Sequence, residues 1–365
     1  MAGFGVYVHV PFCARRCDYC DFATWTDRQH LMDAYTAACV TDLARRYDGA
    51  PLPPATSVFF GGGTPSLLPA DLLLAILAAI PRRPGAEVTV ECNPDTVTPE
   101  LLAAYRAGGV TRLSFGVQSM APHVLAALGR THDPAGVEEA VAAARAAGFE
   151  NFNLDLIYGG AGETLADWQR TLEAALALDP PHVSAYALTV EPGTPLARRV
   201  DAGDTAAPDD DDQAEKYLAA DAALTATGRP WYEISNWARP GRECRHNLLY
   251  WAQGEYLGIG CAAHGHTPLG RRWWNVRTPD RYIALVGRGE SPEAAHELLT
   301  GPDREAEATM LALRTRAGVP AGPVADTLVA DGLAERQGDR VVLTPHGRLL
   351  ANEATTRLLG AYSSC

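Results

Sequence analysis

Hydrophobic positions in the first half of the chain alternate between short apolar runs and longer amphipathic stretches. The short runs predict six strands, at residues 5–10, 56–60, 86–91, 112–116, 152–157 and 181–188. The amphipathic stretches predict helices between them, at residues 29–47, 69–80, 98–107, 133–147 and 164–178. Alternation of this kind is typical of βαβ units, so we expect an α/β fold with a parallel sheet. The pattern alone allows a doubly wound sheet or an incomplete barrel.

The hydrophobic pattern changes in the second half of the chain. Residues 209–227 predict one more helix, and residues 231–274, rich in aromatic residues, glycine and histidine, predict irregular structure. Helical stretches at 304–313 and 323–331 then precede a two-stranded hairpin and a last helix at 345–359, as in a winged-helix unit. We therefore divide the chain into an α/β domain at 1–230, a connecting region at 231–300 and a winged-helix-like α+β domain at 301–365.

Charge and hydropathy narrow the functional classes. The formal net charge of −13 argues against a nucleic-acid partner, and hence against a winged-helix regulator of DNA, because phosphate binding requires a basic surface. The sequence has no run of 18 or more apolar residues, so we expect no integral membrane segment. The N-terminus lacks the basic start and cleavage site of a signal peptide, so we expect a cytoplasmic protein.

Three of the eight cysteines, Cys13, Cys17 and Cys20, fall within eight residues. In a chain without a secretory signal, such a cluster indicates metal or redox chemistry. Three thiolates can bind three irons of a 4Fe–4S cluster and leave the fourth iron open, because cluster iron prefers sulfur ligands. The alternative is a zinc site completed by His9 or by a distant fourth ligand.

Polar or glycine residues follow successive predicted strands. The cysteine cluster follows the first strand and Gly61-Gly62-Gly63 the second, Glu91 ends the third, Gln118 follows the fourth and Asp155 lies in the fifth. In both candidate folds, ligands bind at the carboxyl ends of the parallel strands. The sequence therefore predicts one site at the mouth of the sheet.

The segment YVHVPFCARRCDYCDF, residues 7–22, resembles the cluster motif of the radical S-adenosylmethionine (SAM) superfamily. This resemblance implies a partial (β/α)6 barrel, an oxygen-sensitive 4Fe–4S cluster on the three cysteines, and SAM on the open iron. The segments FFGGGTPS, VTVECNPD, LSFGVQS, LGRTH, NLDLIYG and YALTVEPGTP are similar to the SAM-binding motifs of the oxygen-independent coproporphyrinogen oxidase branch. The positions that this similarity implies as SAM contacts are Tyr7, Gly62, Gly63, Thr64, Glu91, Gln118, Arg130, Asp155 and Ala187.

Two features distinguish the branches of that superfamily. The oxidase continues its cluster motif to a fourth cysteine, and Phe22 stands at that position here. The segment HNLLYW, residues 246–251, resembles the His-Asn-x-x-Tyr-Trp motif of HemW-like heme chaperones. That resemblance implies heme as cargo, with His246, Tyr250 and Trp251 as its contacts, since histidine is a common axial ligand and aromatic rings pack on porphyrin.

Other assignments of these residues remain open. His246 and Trp251 can be structural, and His264, His266 or Cys244 can bind heme instead. The leading hypothesis is a heme chaperone that passes heme to an acceptor apo-hemoprotein, expected to be a respiratory one. The alternative is an enzyme, a radical SAM dehydrogenase that oxidatively decarboxylates coproporphyrinogen III; Phe22 argues against it.

Overall fold

Six parallel strands and their connecting helices form the first half of the chain in the computed structural model, which describes residues 3–49 and 52–362. All six predicted strands and the helices between them are confirmed. Cys365, for which the sequence predicts no special role, lies outside the described residues. None of the helices in the described ranges is long and apolar enough to cross a membrane.

Fifteen strands occur in the described part of the chain. They are β1 (Phe4–Val10), β2 (Ala55–Gly62), β3 (Arg82–Cys92), β4 (Arg112–Gln118), β5 (Phe152–Tyr158), β6 (His182–Ala187), β7 (Trp231–Glu233), β8 (Asn236–Ala238), β9 (Glu255–Ile259), β10 (His264–His266), β11 (Arg271–Asn275), β12 (Glu293–Leu298), β13 (Val319–Pro320), β14 (Ala334–Gln337) and β15 (Arg340–Leu343).

The helices follow the strands in the order that the amphipathic pattern predicts, with short 3-10 turns at Gln29–Leu31, Pro65–Leu67 and Pro94–Thr96. They are α1 (Met32–Gly49), α2 (Ala70–Ala78), α3 (Pro99–Ala107), α4 (Pro122–Ala127), α5 (Pro134–Ala146), α6 (Leu165–Ala177), α7 (Pro195–Asp201), α8 (Asp210–Ala226), α9 (Arg245–Trp251), α10 (Pro279–Gly287), α11 (Gly301–Leu313), α12 (Pro323–Ala330), α13 (Pro345–Leu349) and α14 (Ala351–Tyr362).

The strands β1 to β6 lie side by side in chain order and all pair in parallel, as the predicted incomplete barrel requires. Side chains alternate between the faces of a strand. In β1, Val6, Val8 and Val10 are buried in the main hydrophobic core, whereas Tyr7 and His9 point into the barrel. The carboxyl ends of the six strands therefore present their polar side chains to one space.

The expectation of irregular structure at residues 231–274 was wrong. This segment contains α9 and five short strands, of which β9 pairs in parallel with β1 while β7 and β8 extend the other edge beyond β6. Strands of three to five residues have too few positions to show a period-two pattern, and they are stable only against an existing sheet. Together with β12, they complete a twelve-stranded sheet.

The C-terminal segment contains the predicted hairpin, formed by β14 and β15, and β13 adds a third strand. The predicted last helix is divided into α13 and α14 at Leu350. This segment has a separate hydrophobic cluster that includes Leu313, Leu328, Val341 and Leu358. The α/β barrel with a smaller C-terminal winged-helix-like unit is the fold expected from the sequence, while the boundaries at residues 230 and 300 remain predictions.

Candidate functional site

The three clustered cysteines lie in a loop that begins directly after β1. Cys13 is buried, and Cys17 and Cys20 are half-buried. The Cys13 amide donates to the Trp25 carbonyl at 3.0 Å, and the Trp25 amide donates to the Pro11 carbonyl at 2.8 Å. These two bonds hold the loop against the end of the barrel, so the thiols are presented at the mouth of the sheet.

Hydrogen-bond donors point at two of these sulfur atoms. Arg130 Nη1 lies 3.6 Å from Cys17 Sγ, and Thr64 Oγ1 lies 3.6 Å from Cys13 Sγ. Burial raises the pKa of Cys13, and it raises the pKa of Cys20 to about 11. Since iron binds the thiolate form, donors aimed at sulfur fit a cluster, where the metal stabilises the charge that burial disfavours.

Among residues 3–49 and 52–362, no three His, Cys, Asp or Glu side chains are grouped as ligands of a single metal ion. In a cubane, each thiolate binds a different iron, so its ligands need not converge on one point.

The loop after β2 requires glycine for steric reasons. Gly62 has φ +111°, and a Cβ there would meet the His9 ring. A Cβ on Gly63 would lie 2.7 Å from the Phe12 carbonyl oxygen and 3.1 Å from Cys13 Sγ. The Gly63 and Thr64 amides donate to the Val10 and Phe12 carbonyls, both at 2.8 Å. The glycine loop therefore supports the cysteine loop directly.

Acidic side chains from β3 and β5 meet inside the barrel. Glu91 accepts from the Gly62 amide at 3.1 Å, and Asp155 accepts from Ser114 and Asn153, both at 2.8 Å. Burial, followed by the negative charge of Asp155, raises the pKa of Glu91 to about 8. Burial also raises the pKa of Asp155. Two carboxyls disfavoured as anions form a site that a cation would stabilise.

Arg130 is held in place by three acceptors. Besides Cys17, its Nη2 donates to the Gly116 carbonyl at 2.6 Å and its Nε to His132 Nδ1 at 3.3 Å. His132 is anchored in turn, since its Nε2 donates to the Val117 carbonyl at 2.9 Å. A guanidinium has five N–H groups, so two remain for an anionic ligand. Sequence reasoning did not assign a role to His132.

Most of the remaining predicted SAM contacts also lie at the carboxyl ends of the strands. Gln118 ends β4 with φ +65°, beside an irregularity in its pairing with β5. Ala187 ends β6 opposite Tyr158. Tyr7 lies in the middle of β1 and points into the barrel, with its hydroxyl 3.1 Å from His9 Nδ1, and Asp155 lies in the middle of β5. The other predicted contacts are at the strand ends, directly after them or, like Arg130, bonded to a residue near one.

The predicted heme motif begins beneath this site, on α9. His246 is completely buried, its Nδ1 is 2.9 Å from Ser57 Oγ, and its Nε2 is 2.8 Å from Tyr250 Oη. Burial lowers the pKa of His246 to about 3. Both ring nitrogens are therefore engaged, and ligation of heme iron would require the ring to lose one bond. Heme ligation by His246 remains a prediction that this conformation does not favour.

The inner faces of β1 and β9 to β11 border a cavity of about 570 Å³. Tyr250 is on its wall, and Trp251, which is half-buried, is not. Sequence reasoning missed Arg272 and Glu307, because they come from β11 and α11, which are remote in sequence from the motifs. The lining side chains are those of Tyr7, His9, Phe22, Ala23, Gly62, Glu91, Tyr250, Gln253, Tyr256, Ala262, His264, His266, Arg272, Glu307 and Leu311.

Comparison with known proteins identifies relatives over almost the whole chain. Residues 7–175 match the radical SAM superfamily. The heme chaperone HemW of Mycobacterium tuberculosis (strain ATCC 25618 / H37Rv) is 45% identical, with 98% of this chain and 95% of that protein covered. The heme chaperone HemW of Escherichia coli (strain K12) is 35% identical, with 95% and 96% covered.

A solved structure shares the fold. It is the coproporphyrinogen III oxidase HemN from Escherichia coli, described as a radical SAM enzyme, with a TM-score of 0.83 and coverage of 98% of this chain and 90% of that one. The sequence identity is 24%, so this similarity concerns the fold alone.

Proposed function

This chain belongs to the HemW family of the radical SAM superfamily, and on that premise we propose that it binds heme and transfers it to an acceptor apo-hemoprotein. The observation that carries the proposal is the similarity to HemW proteins over nearly the full length. The matched region includes Phe22 and residues 246–251, the two features that distinguish HemW-like proteins from the oxidase branch. We expect the acceptor to be a respiratory hemoprotein.

We further propose that Cys13, Cys17 and Cys20 hold a 4Fe–4S cluster. When bound, that cluster supplies one-electron chemistry and an open iron for SAM. Arg130 donates a hydrogen bond to Cys17, and Thr64 donates one to Cys13, so both stabilise the thiolate form. The two unused N–H groups of Arg130 suit the SAM carboxylate.

Glu91 is the proposed partner of the SAM ammonium group. Its carboxyl is held by the Gly62 amide at the strand end, near the negative charge of Asp155. Gln118 and Asp155 are proposed for the ribose hydroxyls, and Tyr7, Gly62, Gly63, Thr64 and Ala187 for the remaining contacts.

The cavity beside this site is the proposed place for the porphyrin. Its apolar and aromatic lining, with Phe22, Tyr250, Tyr256 and Leu311, suits a flat apolar macrocycle. Because Tyr7, Gly62 and Glu91 also border the cavity, cargo there would lie next to the proposed SAM site. Tyr250 belongs to the predicted heme motif together with His246 and Trp251.

A second candidate function is oxidative decarboxylation of coproporphyrinogen III. The predicted SAM contacts, which resemble those of the oxidase branch, favour it, and Phe22 in place of a fourth cysteine disfavours it.

The deciding experiment starts with anaerobic reconstitution of the protein with iron and sulfide. Hemin is then titrated and followed through its Soret band, and the loaded protein is mixed with apomyoglobin as a heme trap. We expect saturable one-to-one binding and release to the trap, with little porphyrinogen turnover in a parallel assay. A Cys13→Ala/Cys17→Ala/Cys20→Ala variant shows whether loading depends on the cluster. Cluster-loaded protein that turns over porphyrinogen and binds no heme would overturn the chaperone proposal.

A further inference from the structure

Four histidines lie in or beneath the cavity, and two of them, His9 and His246, use both ring nitrogens. His9 contacts the Tyr7 hydroxyl at 3.1 Å and the Ala23 carbonyl at 2.9 Å through its two ring nitrogens. His246 uses both nitrogens inside the barrel. His266 uses only Nδ1, which donates to the Gly254 carbonyl at 2.9 Å, but this ring is buried in the cavity wall with 4% of its surface exposed.

His264 is the most accessible of the four. It is exposed on the cavity wall, and within the described ranges of the chain neither of its ring nitrogens has a hydrogen-bond partner. An imidazole in this state can bind a metal without breaking an existing contact.

The orientation of His264 is nevertheless defined. In the antiparallel pairing of β10 with β11 it lies opposite Trp274, and the two rings stack with centroids 5.8 Å apart. Partial burial, followed by the positive charge of Arg272, lowers the pKa of His264. Both effects favour the neutral ring, which ligation of iron requires.

An apolar side chain on the same cavity marks where a flat ligand would lie. Phe22 has 61% of its surface exposed although it lines the cavity. On the wall of a concave, mostly apolar site, this exposed ring offers a face that a flat ligand can cover. Phe22 is only two residues from Cys20, so a ligand that covers Phe22 would contact the cysteine loop.

We propose that His264 is the axial ligand of the heme iron and that Phe22 packs against the porphyrin. This inference rests on the proposed heme-binding function and names the ligand within it. It assigns His246 a structural role instead. It also places the cargo against the loop that bears the cluster, so occupancy of one site is expected to affect the other.

The test is a hemin titration of cluster-loaded wild type beside His264→Ala, His246→Ala and His123→Ala. His123 is the matched control, because it is an exposed histidine on α4, paired with Asp167 and away from the cavity. We expect His264→Ala to bind heme roughly 10- to 100-fold more weakly and to lose the axial-imidazole signature in the Soret band and in electron paramagnetic resonance. Added imidazole should restore that signature.

His246→Ala should keep the axial-imidazole signature, and His123→Ala should match wild type. Phe22→Ala should weaken binding while keeping the signature, and circular dichroism with iron content confirms that each variant is folded and loaded. An unchanged signature in His264→Ala, or its loss only in His246→Ala, would overturn the inference. Wild type without saturable heme binding would instead refute the proposed function itself.

Discussion

Glu91 shows how one residue can couple cofactor binding to protonation. Its carboxyl is held inside the barrel near Asp155, so burial and like charge raise its pKa from 4.5 to about 8. The group is therefore mostly protonated at pH 7 without a ligand. An ammonium group placed beside it would favour the carboxylate and lower that pKa again.

We predict that SAM binding to cluster-loaded protein at pH 7 releases about one proton, because Glu91 ionises when the cation arrives. Calorimetry in two buffers of different ionisation enthalpy measures this release. Glu91→Gln keeps the size and shape of the side chain and removes the titrating carboxyl. This variant should therefore bind SAM more weakly and release no proton. The same proton release from Glu91→Gln as from wild type would show that another group titrates.

Helix α9 packs against strands β1, β2 and β3, at the end of the barrel away from the cysteine loop. The His246 amide donates to Glu87 at 3.2 Å, and its ring contacts Ser57. Glycine is needed where α9 contacts β1, because a Cβ on Gly5 would lie 2.6 Å from Leu249 and 3.0 Å from His246. The motif that sequence resemblance connects with heme thus also joins α9 to β1, β2 and β3.

We predict that His246→Ala lowers the free energy of unfolding by about 2–4 kcal/mol, since it leaves the Ser57 and Tyr250 hydroxyls without their partner and opens a cavity. Chemical denaturation of the metal-free protein measures the loss, with His123→Ala as the exposed control. Stability equal to that of the control would show that α9 does not depend on this ring.

At the scale of the whole molecule, a buried ion pair helps to join the C-terminal unit to the barrel. Arg348 of α13 is 4% exposed and donates to both carboxylate oxygens of Asp221 on α8, at 2.7 and 2.6 Å. Its guanidinium also lies over the Trp231 ring, 4.5 Å from the centroid. Helix α11 of the same unit contributes Glu307 and Leu311 to the cavity wall, so movement of this unit away from the barrel would change the cavity.

We predict that Arg348→Ala costs about 3–5 kcal/mol of stability, because it leaves the Asp221 carboxylate without its cation. Limited proteolysis should cut residues near the joint earlier than in wild type, and heme affinity should fall as the wall loosens. Arg336→Ala is the control, since Arg336 pairs with Asp326 on the surface of the same unit. Equal behaviour of the two variants would contradict this role for the ion pair.

Much of this architecture follows from the sequence alone. Strands β1 to β6 alternate with amphipathic helices, and parallel strands bring their carboxyl ends to one edge. That edge therefore carries the groups that follow or end these strands, namely the cysteine loop, the glycine loop, Glu91 and Gln118, with Asp155 on the neighbouring strand. Local pattern is sufficient there because each strand is long enough to show its periodicity and each motif follows its strand directly.

The tertiary structure decided what local pattern could not. Strands β7 to β11 are too short to be recognised in the sequence, and they exist because the edges of a larger sheet provide their hydrogen bonds. The chemistry of the histidines was likewise undetermined, because the sequence gives the residue type of His246 and His264 but not the partners of their ring nitrogens. Only the folded chain gives His246 two partners inside the barrel and leaves the His264 ring open to the cavity, since a nitrogen's availability depends on contacts made across the fold.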